Sequence, residues 1–270
     1  MMDDDDLRWT LPDLDTALSR CRVRNGQGIR CILHALAEHV SSPEGAEQSL
    51  DASLECLHAI AAQRLDASIS VKPTALGALA DPARCRDRIM RICEEGVSAG
   101  IRIELDMEGQ NLVDFTLSAA GDCGAREPAP SVALQAYLDR TPDDLAKAMD
   151  AGIRVRIVKG AYLGDTDDFF AIERRFLTLC RQCIERSVPF SIGTHDPDLI
   201  SWITRILPDI RDYVEFGFLM GLADETKQRL VGDGWQVAEY IPYGTGGDPY
   251  VFRRERYLEA LSRQDREPAP

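Results

Sequence analysis

The stretch that decides the fold is IRVRIVKGAY, residues 153–162. Its first seven residues form a short β-branched run ending on a lysine. A Gly-Ala pair follows, and the segment 166–187 beyond it reads as a helix. Outward from this βα unit, the same pairing recurs along most of the chain. Strands are predicted at 30–36 (RCILHAL), 68–72 (SISVK), 101–107 (IRIELDM), 132–138 (VALQAYL), 153–159, 189–195 (PFSIGTH), 213–218 (YVEFGF) and 235–241 (WQVAEYI). Helices are predicted at 42–64, 81–100, 111–120, 142–150, 166–187, 197–207, 223–231 and 249–263, with Ser42 before Pro43 as a cap and Gly100 as a stop. Eight strands, each followed by a helix, specify a TIM-like (β/α)8 barrel more naturally than a doubly wound open sheet, and no GxGxxG follows an early strand. GDCGAREPAPS (121–131) reads as a surface loop. The expectation is a single barrel domain over 1–270, with a core of about 28–260 and frayed ends at MMDDDD and REPAP.

Composition narrows the function. The 270 residues are 44% hydrophobic and carry a formal net charge of −14, which argues against a nucleic-acid or anionic-membrane footprint and favours a small-molecule ligand. No apolar run reaches the length of a membrane span and the N-terminus is acidic, so a cytoplasmic protein is expected. Eight cysteines are scattered without a secretion signal, so most are expected to be reduced and packed, including the CxxC of Cys180 and Cys183 on a helix. No metal site is expected.

In such a barrel the active site lies at the C-terminal ends of the strands. Those ends carry Lys72, Asp106 with Glu108, Gln135 with Tyr137, Arg156 with Lys159, Thr194 with His195, Glu215 and Tyr240. Strand ends are also polar because loops begin there, and barrel interiors hold satisfied polar layers, so each residue alone has a structural reading. Together they focus positive charge in the mouth of an acidic protein, which points to an anion: a carboxylate, phosphate groups or both. In IPYGTGGDPYVFRRER (241–256) and the residue that follows, Tyr250, Arg253, Arg254 and Tyr257 fall on one helix face, suited to clamping a carboxylate; the alternative is a solvated charge run. Gly160 and Ala161 let a ligand approach backbone amides closely. GTHD (193–196) opens a helix at Pro197 whose free amides suit a phosphate oxygen, so a pyrophosphate cofactor is suggested, with a capping or core role as the alternative for His195.

The ordered set ISVKPTALG, IELDMEG, LQAYL, VRIVKGAY, GTHDPDLI, EFGFLMG and YIPYGTGGDPYVFRR resembles the proline dehydrogenase family over roughly residues 28–260. The resemblance implies a distorted (β/α)8 barrel that binds FAD at its C-terminal face. It implies oxidation of L-proline to 1-pyrroline-5-carboxylate, with electrons passed to a quinone or another acceptor. By position, Lys72, Arg253 and Arg254 match the substrate-carboxylate site, and Tyr240 and Tyr250 line it. Asp106 and Arg156 match the active-site pair, Arg156 near flavin N5. Met107, Gln135, Lys159, Gly160, Ala161, Thr194 and His195 match cofactor-contacting positions, the glycine and alanine leaving room for the flavin. Two departures stand out: Gly217 where the family usually has glutamine, and Tyr257 where it tends to have a glutamate that pairs with an arginine. They leave open a substituted proline or another amino acid as substrate. The chain is expected to be a stand-alone enzyme without an aldehyde dehydrogenase domain, in transient contact at most with the inner membrane. The alternatives from other classes are a Schiff-base lyase using Lys72 or Lys159, and an inactive ligand-binding barrel.

Overall fold

The computed structural model describes residues 9–124, 126–162, 164–206, 208–245, 250–253 and 255. Eight parallel strands close into a barrel in sequence order: β1 (Arg30–Ala35), β2 (Ala67–Val71), β3 (Ile103–Leu105), β4 (Ser131–Gln135), β5 (Arg154–Val158), β6 (Phe190–Gly193), β7 (Val214–Leu219) and β8 (Gln236–Tyr243). Closure falls between β8 and β1, where Ile32 pairs with Tyr240 and His34 with Pro242. Helices α1 (Leu14–Gly26), α2 (Pro43–Gln63), α3 (Pro82–Ala99), α4 (Val113–Cys123), α5 (Thr141–Asp150), α6 (Phe169–Glu185), α7 (Pro197–Ile206) and α8 (Asp224–Gly232) accompany the strands. All eight expected strands are present.

Local chemistry sets the helix bounds. Ser42 accepts a hydrogen bond from the Gly45 amide at the start of α2, and Asp81 from Arg84 at the start of α3. Gly100 closes α3 at φ +70°, the left-handed conformation that a residue without a Cβ adopts freely. The expected loop at 121–131 begins later than its composition indicates, because α4 runs through Cys123, which forms a disulfide with Cys93 of α3. Cys180 and Cys183 are free and buried on α6.

One element was not expected. Helix α1, outside the anticipated core, packs on β1 and β8 and buries Ala17, Leu18, Cys21 and Arg24. Charged residues tie it down: Arg24 reaches Glu239 and Asp224, and the fully buried Lys227 of α8 lies 2.5 Å from Glu239.

Inside the barrel, side chains two residues apart share a face. On β3 and its flanks these are Arg102, Glu104 and Asp106; on β5 they are Arg154 and Arg156. Glu104 and Arg156 meet across the interior at 2.8 Å, and Arg30 of β1 reaches Glu215 of β7 at 2.8 Å. The barrel is therefore filled along its axis by an ionic column. Glu215, expected among the strand ends, belongs to its lower part: β7 continues to Leu219, which leaves Glu215 near the strand's N-terminal end, bonded to Arg30 and Ser191.

Candidate functional site

At the C-terminal face, Lys72 follows directly on β2 and Arg253 lies on the helical stretch 250–253 beyond β8. Both hold one carboxylate oxygen, Oε1 of Glu38, in the segment after β1. The second oxygen of Glu38 is buried and makes no hydrogen bond. Burial alone would raise the Glu38 pKa, but Lys72 and Arg253 outweigh it and hold the group down at about 2. The Arg253 guanidinium also sits 5.1 Å from the Tyr162 ring centroid. Glu38 was not among the expected site residues. Its environment is polar only once the barrel closes, and HALAEH carries no spacing signal.

Beside this cluster, Asp106 accepts from Arg156 at 3.0 Å and from the Tyr240 hydroxyl at 2.6 Å. Burial opposes ionisation of Asp106, yet Arg156 and Lys72 keep its pKa below the usual carboxylate range. Arg156 spans Glu104 and Asp106, and its Nε is buried without a hydrogen bond. The guanidinium also lies 5.7 Å from the Tyr240 ring. His34 is a second site residue not expected from sequence. Its Nδ1 meets the Ser70 carbonyl at 2.9 Å, so the proton is on Nδ1, and Nε2 is left as a buried acceptor without a partner. Burial, aided by the Lys72 charge, lowers its pKa to about 4 and keeps the ring neutral. Tyr250 is buried in a cluster with Trp9, Ile32, Leu36, Ala238 and Tyr240, which fastens the last described helical stretch over the mouth.

The β4–β6 side differs in detail from expectation. Gln135 donates to the Glu108 carbonyl and accepts from Tyr137 at 2.5 Å, and the Tyr137 hydroxyl accepts from the Tyr162 amide. Gly160 makes room, but for Tyr137: a Cβ there would lie 1.7 Å from Tyr137 Cε1. The open space inferred for a flavin at this glycine is thus taken by the protein's own ring, while Ala161 is exposed and Met107 buried. The amides at the start of α7, expected to be free for phosphate, are not: Asp196 accepts from Asp198 and Leu199. Lys159 pairs with Asp196 at 2.8 Å and lies over Phe169, and Thr194 accepts from the Asp196 amide. His195 Nε2 accepts from the Leu219 amide at 3.0 Å, which fixes its proton on Nδ1 when the ring is neutral. Glu108 is a loop staple, taking two hydrogen bonds from Thr74. Arg254 and Tyr257 lie outside the described residues.

The structure therefore brings together Lys72, Asp106, Arg156, Tyr240, Tyr250 and Arg253, adds Glu38, His34 and Tyr162, and sets Gln135, Lys159, Thr194 and His195 along one flank. A closed (β/α)8 barrel whose C-terminal mouth holds a cation pair on a buried carboxylate defines the class: a TIM-like barrel with a charged, cation-lined mouth. The chain belongs to the proline dehydrogenase family, whose model matches residues 17–256. It is similar to proline dehydrogenase 2 of Bacillus subtilis strain 168, 27% identical over 249 residues that cover 90% of this chain and 82% of the relative. It is also similar to the proline dehydrogenase of Deinococcus radiodurans, 27% identical over 256 residues, with 89% and 82% covered. Among solved structures, proline utilization A from Bdellovibrio bacteriovorus, inactivated by N-propargylglycine, superposes with a TM-score of 0.83 at 19% identity. The match covers 92% of this chain and 32% of that one, so the chain spans about a third of that protein's length. The same protein from Bradyrhizobium japonicum gives a TM-score of 0.75 at 17% identity, covering 93% and 30%. These structural matches carry the fold.

Proposed function

We propose that the protein is an FAD-dependent dehydrogenase that oxidises L-proline, or a close analogue, to 1-pyrroline-5-carboxylate. The observation that carries this reading is the grip of Lys72 and Arg253 on the Glu38 carboxylate. Two cations converge on one buried carboxylate oxygen, beside an Asp106–Arg156–Tyr240 set. A substrate carboxylate of the same chemistry competes for that position, with Tyr240 and Tyr250 as the apolar-faced walls and Arg254, outside the described residues, as a further donor proposed from the sequence alone. Arg253 and Lys72 would fix the amino acid by its carboxylate, leaving the ring carbon next to nitrogen to face the interior.

FAD, when bound, would supply the two-electron acceptor for the hydride that this carbon gives up as the C=N bond forms. The residues present fit such a group: Arg156 offers a buried Nε–H without a partner, a cation suited to developing negative charge, and Lys159 is a cation at the flank. Met107, Gln135, Ala161, Thr194 and His195 are the further proposed cofactor neighbours. Asp106 holds Arg156 and Tyr240 in place through direct hydrogen bonds and stays ionised. The amine proton leaves to solvent or to a basic group of the mouth, so that carbon loses a hydride and nitrogen a proton.

Electrons then pass to a quinone or another acceptor. No helix among the described residues is long and apolar enough to cross a membrane. A cytoplasmic location, with at most transient contact with the inner membrane surface, completes the proposal. The test is turnover of proline with an artificial acceptor in Lys72→Met and Arg253→Met variants. A KM raised by about tenfold or more, as expected for lost charge-assisted bonds, supports the reading, and an unchanged KM in both contradicts it.

A second substrate reading rests on Gly217. An added Cβ would sit in ordinary contact with the Ile192 carbonyl at 3.7 Å and Arg156 Cδ at 3.9 Å, so a side chain is tolerated there and the glycine leaves the wall beside Arg156 without one. A substituted proline fits this feature. Comparing proline with its analogues in wild type and Gly217→Gln decides between them: a preference for the larger analogue that Gly217→Gln abolishes supports the second reading, and an unchanged ranking removes it.

A further inference from the structure

Three arginines gather at the opposite end of the barrel, away from the proposed substrate. Arg30 begins β1, Arg154 begins β5, and Arg102 precedes β3, its carbonyl accepting from the Ile69 amide of β2. Each is two residues from a side chain of the interior column or pairs directly into it, so all three face the axis at the N-terminal mouth. Arg30 is satisfied by Glu215 at 2.8 Å and by Asp66 at 3.3 Å, the latter with a 70% exposed side chain. Arg102 and Arg154 are partly buried, and neither makes a hydrogen bond or ion pair from its guanidinium with any described residue; Nε of Arg102 is buried outright. Glu215, and less strongly Glu127, act on Arg154 only through space. Burial, and then repulsion from Arg30 and Arg154, depresses the Arg102 pKa to about 10.

A protein of net charge −14 has ample carboxylates to neutralise such a cluster, yet here it leaves two guanidiniums unmatched and partly desolvated. We propose that Arg30, Arg102 and Arg154 form a binding site for a dianionic tetrahedral oxyanion, a phosphate group, at the N-terminal mouth of the barrel. Arg30 already has two carboxylates, Glu215 and Asp66, so the two guanidiniums left without an ion pair are those of Arg102 and Arg154, and a phosphate dianion can meet both where a single carboxylate cannot. Planar guanidinium forks also match phosphate oxygens in pairs. The Glu104–Arg156 pair closes the column above, so the site is separate from the proposed catalytic mouth. It does not depend on the dehydrogenase reading.

The test is calorimetric titration of inorganic phosphate, and separately of AMP, into the protein kept in excess FAD at fixed ionic strength. Wild type, Arg102→Gln, Arg154→Gln and Lys159→Gln are compared. The expected result is saturable phosphate binding with a Kd of about 1 mM or tighter, weakened roughly tenfold or more in the two arginine variants and unchanged in Lys159→Gln. Equal binding of AMP identifies the phosphate of a larger ligand as the recognised element; binding of phosphate alone identifies an enclosed site for the free ion. Without phosphate, Arg102→Gln should melt no lower than wild type, because it removes an unpaired buried charge, whereas an arginine serving only as packing would lower it. Absence of saturable binding in wild type, or loss of binding in Lys159→Gln with retention in the arginine variants, overturns the proposal.

Discussion

Gly160 has φ +132°, and a Cβ built on it meets Tyr137 Cε1 at 1.7 Å; Gly217 has no left-handed backbone and no neighbour nearer than 3.7 Å. Two glycines in adjacent parts of the same site therefore differ in kind. Gly160→Ala combines backbone strain with a clash against a ring that is itself buried and hydrogen-bonded, and a loss of about 3 kcal/mol is expected. Gly217→Ala should be within about 0.5 kcal/mol of wild type. Denaturant melts of both variants check the pair, and equal losses would contradict this assignment of space. His34 gives the pH dependence at this scale. Its folded pKa of about 4 lies below the ordinary 6.5, so the unfolded chain takes up the proton first as pH falls. Stability contributed by the neutral ring is present above pH 6.5 and lost progressively down to about pH 4, a change of about 3 kcal/mol. His34→Gln should flatten the melting-temperature profile in that window; an unaltered slope would mean the ring is not buried neutral.

At the scale of elements, the closure of the barrel relies on a buried charge cluster that no hydrophobic pattern reveals. Lys227 is fully buried and meets Glu239, Asp224 and the Leu219 carbonyl, while Arg20 and Arg24 of α1 reach the same Glu239. Lys227→Ala removes one of several partners from a buried carboxylate, and a cost of about 3 kcal/mol is expected. Lys227→Ala with Glu239→Gln together should cost less than the sum of the two single changes, measured as a double-mutant cycle; strict additivity would contradict the coupling. The same cluster explains which elements could be read from sequence. β5 and α3 announce themselves through β-branched runs, caps and a terminal glycine. Helix α1 does not, because one of its buried positions is Arg24, whose carboxylate partners Asp224 and Glu239 lie 200 and 215 residues away. Glu215 was read as a strand end for a related reason: YVEFGF shows where a strand runs but not that it continues to Leu219.

Across the whole molecule, the mouth was readable wherever a polar residue ends a strand. Lys72, Asp106, Arg156 and Tyr240 announce themselves by position along a repeating pattern, and the structure gathers them. Glu38 and His34 were hidden because their partners are distant in sequence: Glu38 pairs with Lys72 and Arg253, and His34 meets the Ser70 carbonyl of β2. The flank by Lys159 and Asp196 was misread in its donors, since GTHD supplies its own carboxylate cap. The ionic column joins these parts: Arg156 ties the mouth to Glu104, and Arg30 ties Glu215 to the far end. The most direct measurement of the account is the anaerobic absorption spectrum of the protein with FAD, recorded before and after L-proline. Bleaching of the flavin bands by proline in wild type, with a much higher proline requirement in Arg253→Met, is the expected result. A flavin that proline and its analogues leave oxidised, or a protein that takes up no FAD, would contradict it.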